Sequence, residues 1–477
     1  MARKQLTDRR GLPVSTRSAE AVERYDEAVE LTLSANVGRE EKLALAIEAD
    51  DGFALAHAAL ALTLQFQGEM AGAKESAERA QTLVRGANRR ERQHVEVIAR
   101  LVGGDTAGAT PLVREHLSEF PRDALLLSQN AILSNTSGRV DRHAVSLAFL
   151  SSLAPAYGDD WYFLAVLGFI HHELDHFDES QRLSERAMAL YPRNGLATHS
   201  LAHIFYETND HTTGRGFLDG WMGDYPHGAP LHCHLSWHQA LFALSAGHYG
   251  RVMELYARDL DPTLVRARTL LFDTASILWR LDMYGCAEGP LPWAEVCDVA
   301  KRMTAKPGVA FADAHAALAY AGAGDSAAMA GLLADLTELG AQGREVVREV
   351  VLPLVLGIDA FGRGAYNEAI GHIEPVMPDL VRIGGSNAQR EVFEDTLLQA
   401  YLRAGRFNDA QSLLKRRVGR RHSARDFFWL GRAQAGQSNT NGATESFDIA
   451  GRSWQNADPD ALEQHALRTA RQASALA

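Results

Sequence analysis

One stretch constrains this chain more than any other: from Trp161 to Pro192 it reads WYFLAVLGFIHHELDHFDESQRLSERAMALYP. Leu164, Leu167, Gly168 and His171 mark the packing face of one helix, and Asp175 and Phe177 mark a turn and the start of a second. Ala187 and Pro192 close the unit, and Pro226 follows Pro192 by 34 residues, the period of a helix–turn–helix repeat. Degenerate copies recur. Leu430-Gly431 leads to Ala443, Phe447 and Ala450; Leu397, Tyr401, Gly405, Phe407, Ala410 and Leu414 form another; Leu356-Gly357, Gly364, Tyr366 and Ala369 a third. Gly247 with Tyr249 marks a fourth turn, and Ala61, Gly68, Ala73 and Ala80 repeat the pattern near the start. Small residues let helices approach closely while large ones fill the gaps between hairpins. Each hairpin bares an apolar face until a neighbour covers it, so the pattern demands a stack.

These positions match the tetratricopeptide pattern W-x2-L-G-x2-Y, and alternating β-branched runs are rare. The expected fold is all-α: a tetratricopeptide-type solenoid of helical hairpins, curved around a concave groove or pocket. At 477 residues the chain exceeds one compact core and calls for an array. The expected division is an N-terminal extension at 1–16, N-terminal repeats at 17–160, central His-rich units at 161–260 and C-terminal repeats at 261–477, in one continuous solenoid.

A net charge of −12 argues against nucleic acid as a partner, because phosphate neutralisation needs clustered Lys and Arg. The one basic run, Lys415-Arg416-Arg417 with Arg420, Arg421 and Arg425, reads as a solvated connection between helices. Three cysteines, Cys233, Cys286 and Cys297, fit a reducing compartment without a disulfide framework. The start, Met1-Ala2-Arg3-Lys4-Gln5, leads into no apolar signal core. Pro353 interrupts the most apolar run, Val350 to Gly357, and no run nears the ~20 residues of a membrane helix. The expectation is a cytoplasmic protein with no membrane partner; a homo-oligomer is left open.

Histidines carry the strongest chemical signal. Eleven of 19 fall between His171 and His248. His199 and His203 are four apart, as are His234 and His238, and Glu207 extends the first pair by four more. Residues four apart share a helix face, and the repeat register puts these five on the groove side of adjacent first helices. Imidazoles from both helices then converge on one ion, with nitrogens about 2.0–2.1 Å from zinc. The expected metal set is His199, His203, Glu207, His234 and His238, for zinc, iron, manganese or nickel. His172 and Glu173 are expected to line the groove and bind ligand. Asp313 and His315 close the site in this reading and, with Glu207, are the catalytic candidates. A metal-free polar pocket and plain structural packing are the competing readings. His172-Glu173-Leu174-Asp175-His176 also matches the protease motif H-E-x-x-H, but the repeat register ends the helix near Asp175 and strands His176 in the turn.

Further segments resemble the tetratricopeptide repeat protein 38 family, found in bacteria and animals. They are GLPVSTRSAEAVERYDEAV, RRERQHV, HSLAHIFYE, HLSWHQALFALSAGHY, DTASILWRLDMYG, DAHAALAYAGAGD and GGSNAQREVF. The resemblance spans most of the chain and implies an all-helical repeat fold and little else. In the last segment, Ser386 with Gln389 forms a capping box. Its functional reading makes Ser386, Asn387 and Arg390 ligand-binding, at a helix start suited to a carboxylate or phosphate. Where this chain has Asn387 the family commonly has histidine, which puts a transferred catalytic role in doubt. No motif for a nucleotide cofactor occurs.

Two functions follow from the sequence. In the first, a concave His/Glu-rich pocket binds a metal ion, a small polar molecule or a peptide, with metal-assisted hydrolysis or other Lewis-acid chemistry as its enzymatic form. The alternative is a non-catalytic scaffold that grips a peptide or protein partner.

Overall fold

The computed structural model describes residues 5–458 apart from 268 and 288, together with 461, 463, 464, 467 and 468. The charged start at residues 1–4 therefore lies outside the described residues. Helices follow one another along the chain from Ala19–Leu33 to Thr440–Ser453. Among the described residues the extended pairing is an isolated bridge between Thr7 and Pro13. The fold is all-α, of tetratricopeptide type.

The unit read at Trp161 is a hairpin of the helices Trp161–His172 and Phe177–Leu190. Asp160 caps the first by accepting from the Tyr162 and Phe163 amides, each at 3.0 Å, which satisfies donors that the first turn leaves open. Asp175 turns the chain with φ 59°. Gly168 is required by close approach, since a Cβ there would sit 2.8 Å from Ser184 Oγ. Gly431 plays the same part in the hairpin of Ala424–Gly436 and Thr440–Ser453, where a Cβ would meet the Phe447 ring at 2.6 Å.

The chain forms two compact units. The first comprises Met1–Ser137, Asp141–Leu201 and Gly228–Leu231. Its core is built from Leu55, Ile98, Leu126, Phe163 and their neighbours. Arg10 anchors the N-terminal segment to this core through Glu30 at 2.6 Å and Asp160 at 3.2 Å. The second comprises Gly138–Val140, Ala202–His227 and His232–Ala477. It buries Trp237, Phe242, Leu278, Leu354 and Phe393. The helix Gly195–Glu207 contributes its residues through Leu201 to the first unit and from Ala202 to the second.

No helix among the described residues is long and apolar enough to cross a membrane. Pro353 does not break its apolar run: the π-helical turn Val347–Val351 runs directly into Leu352–Gly362, whose first turn holds the proline. All three cysteines are free and buried.

Candidate functional site: a buried imidazole cluster

Helix His232–Ala246 is buried from His232 through Leu244, so even its polar side chains face protein. His234 and His238 lie one turn apart on it, with ring centroids 5.0 Å apart and edge to face. His203 reaches the same place from the second-unit end of Gly195–Glu207, its ring 4.4 Å from that of His238. The ligand-capable atoms of His203, His234 and His238 lie within 4.8 Å of one another. His203 and His238 are 0% exposed. The sequence placed these residues on an open groove wall; within the second unit they are sealed.

A residue the sequence reading passed over organises this cluster. Asp273, on helix Leu270–Tyr284, accepts from His234 Nδ1 at 2.8 Å. A carboxylate there keeps the proton on Nδ1, which makes Nε2 the acceptor nitrogen of the ring. The indole of Trp237 stacks on His234 with centroids 5.2 Å apart and donates to Ser276 Oγ at 2.9 Å, fixing the platform. Cys233 donates to Asp273 Oδ2 at 3.7 Å. Burial, reinforced by the Asp273 charge, pushes this thiol well above its ordinary range, so it is no thiolate ligand. The sequence did hold a signal for Asp273: it stands in the quoted segment DTASILWRLDMYG as the acid in the helix's first turn.

The other expected site residues go elsewhere. His199 lies one turn before His203 on the same helix, hence on the same face. It belongs to the first unit, where the Phe169 ring stacks on it at 5.5 Å. Glu207 carries the stripe one turn past His203, but Arg420 and Arg421 stand 3.8 Å from its carboxylate, and the imidazole group does not include it. His172 and Glu173 are buried in the first unit, 3.3 Å apart, with His143 Nε2 3.5 Å from the same carboxylate. His172 ends one helix and His176 caps the next, so the H-E-x-x-H reading fails.

Asp313 and His315 lie on Ala310–Ala323 with partners of their own. Asp313 accepts from the Gly308 amide at 2.9 Å, and burial raises its carboxyl to about 6. His315 donates through Nδ1 to Phe311 O at 2.8 Å, and the rings of Phe272 and Phe393 pack against it. Ser386 and Gln389 complete both bonds of the capping box. Arg390 donates to Asn387 Oδ1 at 2.6 Å and to the carbonyls of Gly384 and Gly385, so the segment's cation is committed to its own loop.

The basic run is a correction. Arg417, Arg421 and Arg425 are buried, and they interleave with acids in the second unit. Arg417 reaches Glu391 at 2.9 Å, Asp395 at 2.7 Å and Asp426 at 3.2 Å. Arg421 pairs with Glu391, and Arg425 with Glu463 at 2.6 Å. Against the cost of burial, Arg421 and Arg417 hold Glu391 well below the ordinary carboxylate range. The cavity between them is about 20 Å³, room for a water and no ligand. The signal was complementary spacing: Glu391 and Asp395 are four apart, as are Arg417 and Arg421.

No family model matches the chain. Similar solved structures include a human IFIT1 dimer with m7Gppp-AAAA, 15% identical with a TM-score of 0.42, covering 92% of this chain and 96% of that one. A human IFIT1 dimer with PPP-AAAA is 15% identical with a TM-score of 0.39, covering 94% and 98%. The APC/C hetero-tetramer Cut9-Hcn1 is 11% identical with a TM-score of 0.36, covering 95% and 96%. The expectation that nucleic acid is no partner is withdrawn: IFIT1 is solved with m7Gppp-AAAA and with PPP-AAAA. A whole-chain charge averages over the surface and does not exclude a local site.

Proposed function

We propose that this chain is a non-catalytic helical-repeat binding protein whose imidazole cluster holds one divalent transition-metal ion. The observation that carries the reading is the Asp273–His234 hydrogen bond beside two further imidazoles. His203, His234 and His238 supply three nitrogens. Nitrogen ligands select zinc, iron or nickel, with manganese a weaker fit. An ion held among these three buried rings cross-links their helices and stabilises the fold. The enzymatic form is disfavoured because a substrate would have to reach His203 and His238, which are 0% exposed. Peptide or small polar partners then bind the helical surface as scaffold ligands. On the quoted segments we place the chain with the tetratricopeptide repeat protein 38 family, and on its free cysteines in the cytoplasm.

The test is elemental analysis by inductively coupled plasma mass spectrometry of untagged protein, beside the variants His203→Ala/His238→Ala and Asp273→Asn. The expected result is one metal per chain more in wild type than in the double variant, with affinity at the cluster down about 10–100-fold in Asp273→Asn. No metal after anaerobic loading with zinc, iron, nickel and manganese, or equal metal in wild type and double variant, ends the metal reading and leaves the scaffold alone.

A further inference from the structure

A second group of donors lies at the surface of the second unit, independent of the buried cluster. His227 exposes 72% of its side chain, whereas the Asp259 side chain is fully buried and His232 is buried at the start of His232–Ala246. Their ligand-capable atoms lie within 4.8 Å of one another. His227 Nδ1 stands 3.4 Å from Asp259 Oδ1, and the two imidazole rings are 4.3 Å apart.

The 3.4 Å separation is long for a charge-assisted hydrogen bond. It equals the edge of a tetrahedron whose corners lie about 2.1 Å from a central ion. Arg258 donates to the other oxygen, Asp259 Oδ2, through Nε at 2.9 Å and Nη2 at 2.5 Å. The guanidinium thus orients the carboxylate, turning Oδ1 towards the histidines, while its charge moderates affinity. The backbone has a matching irregularity: Tyr256–Leu260 forms a π-helical turn, a feature that recurs at functional sites because it re-aims one side chain.

We infer that His227, His232 and Asp259 form a mononuclear site for a divalent transition metal, open to solvent on the His227 side. Two imidazoles and one carboxylate leave positions for water or for a donor atom from an incoming molecule. This makes the site an exchangeable docking point, in contrast to an ion sealed among helices.

Cobalt(II) is the probe, because its visible absorption separates four- or five-coordinate ion from the hydrated ion. Wild type, His227→Ala and Asp259→Asn are titrated with Co2+, and their metal-free thermal midpoints are compared. His227 is exposed, so His227→Ala keeps the wild-type midpoint. The expected result is one Co2+ per chain more in wild type than in His227→Ala, or at least tenfold weaker binding in the variant. This difference holds whether or not the buried cluster also loads. Identical uptake and affinity in wild type and His227→Ala, or no uptake by wild type, overturns the inference and reduces the group to a surface hydrogen-bonded contact.

Discussion

His315 shows how burial sets the chemistry of a single residue. The ring is enclosed by Phe311, Phe272 and Phe393, and burial lowers its pKa from 6.5 to about 3. The unfolded chain binds a proton that the folded chain refuses. Stability from this residue is therefore complete above about pH 6.5 and falls as pH drops towards 3, by about 1.4 kcal/mol per pH unit per proton. Asp313 acts in the opposite sense, since burial raises its carboxyl from 3.8 to about 6 and its contribution weakens as pH rises through that window. His315→Gln is predicted to remove one proton from the acid dependence, measured by denaturant unfolding from pH 7 to pH 4. An unchanged slope would mean that another group carries it. Both residues were legible as ionisable groups in an apolar helix. Their role was not, because spacing says nothing about which rings enclose them.

At the scale of elements, helix pairing turns a run of charge inwards. Helix Phe407–Arg420 presents Arg417 to Glu391 and Asp395 on Asn387–Arg403, while Arg416 beside it stays exposed. Removing one member of a buried ion group leaves its partners' charges unpaired. Arg417→Met is predicted to destabilise the second unit by about 3–5 kcal/mol, whereas Arg416→Met shifts stability by less than about 0.5 kcal/mol. Chemical denaturation of both variants checks this, and equal small effects would show the network to be dispensable. The hairpins themselves were legible because their determinants are local: Asp160 caps, Asp175 turns, and Gly168 and Gly431 admit a neighbouring helix. The direction of Arg417 was not local. It depends on acids that stand 22 and 26 residues away in sequence.

Across the whole molecule, binding and stability are linked. A metal that binds only the folded chain stabilises it by about 2.7 kcal/mol at a hundredfold excess over its Kd. Zinc is therefore predicted to raise the thermal transition of wild type by more than that of His203→Ala/His238→Ala. Chelator should reverse the wild-type shift. Differential scanning calorimetry reads both, and a two-unit chain is expected to resolve more than one transition. Equal shifts in both proteins would place the metal elsewhere, with the His227 group as the first alternative.

Sequence alone determined the helical-repeat architecture, the turn positions and the concentration of histidines, because small-residue spacing, caps and four-residue intervals act within one or two turns of helix. It also brought His203 and the His234–His238 pair into consideration as partners. Tertiary packing decided the rest. It sealed His203 and His238 from solvent, turned Glu207 towards Arg420 and Arg421, and buried Arg417 among acids. It also supplied Asp273 to His234 across 39 residues of chain. Those outcomes depend on which helices meet, and desolvation and ion pairing are properties of the meeting and not of the interval between residues.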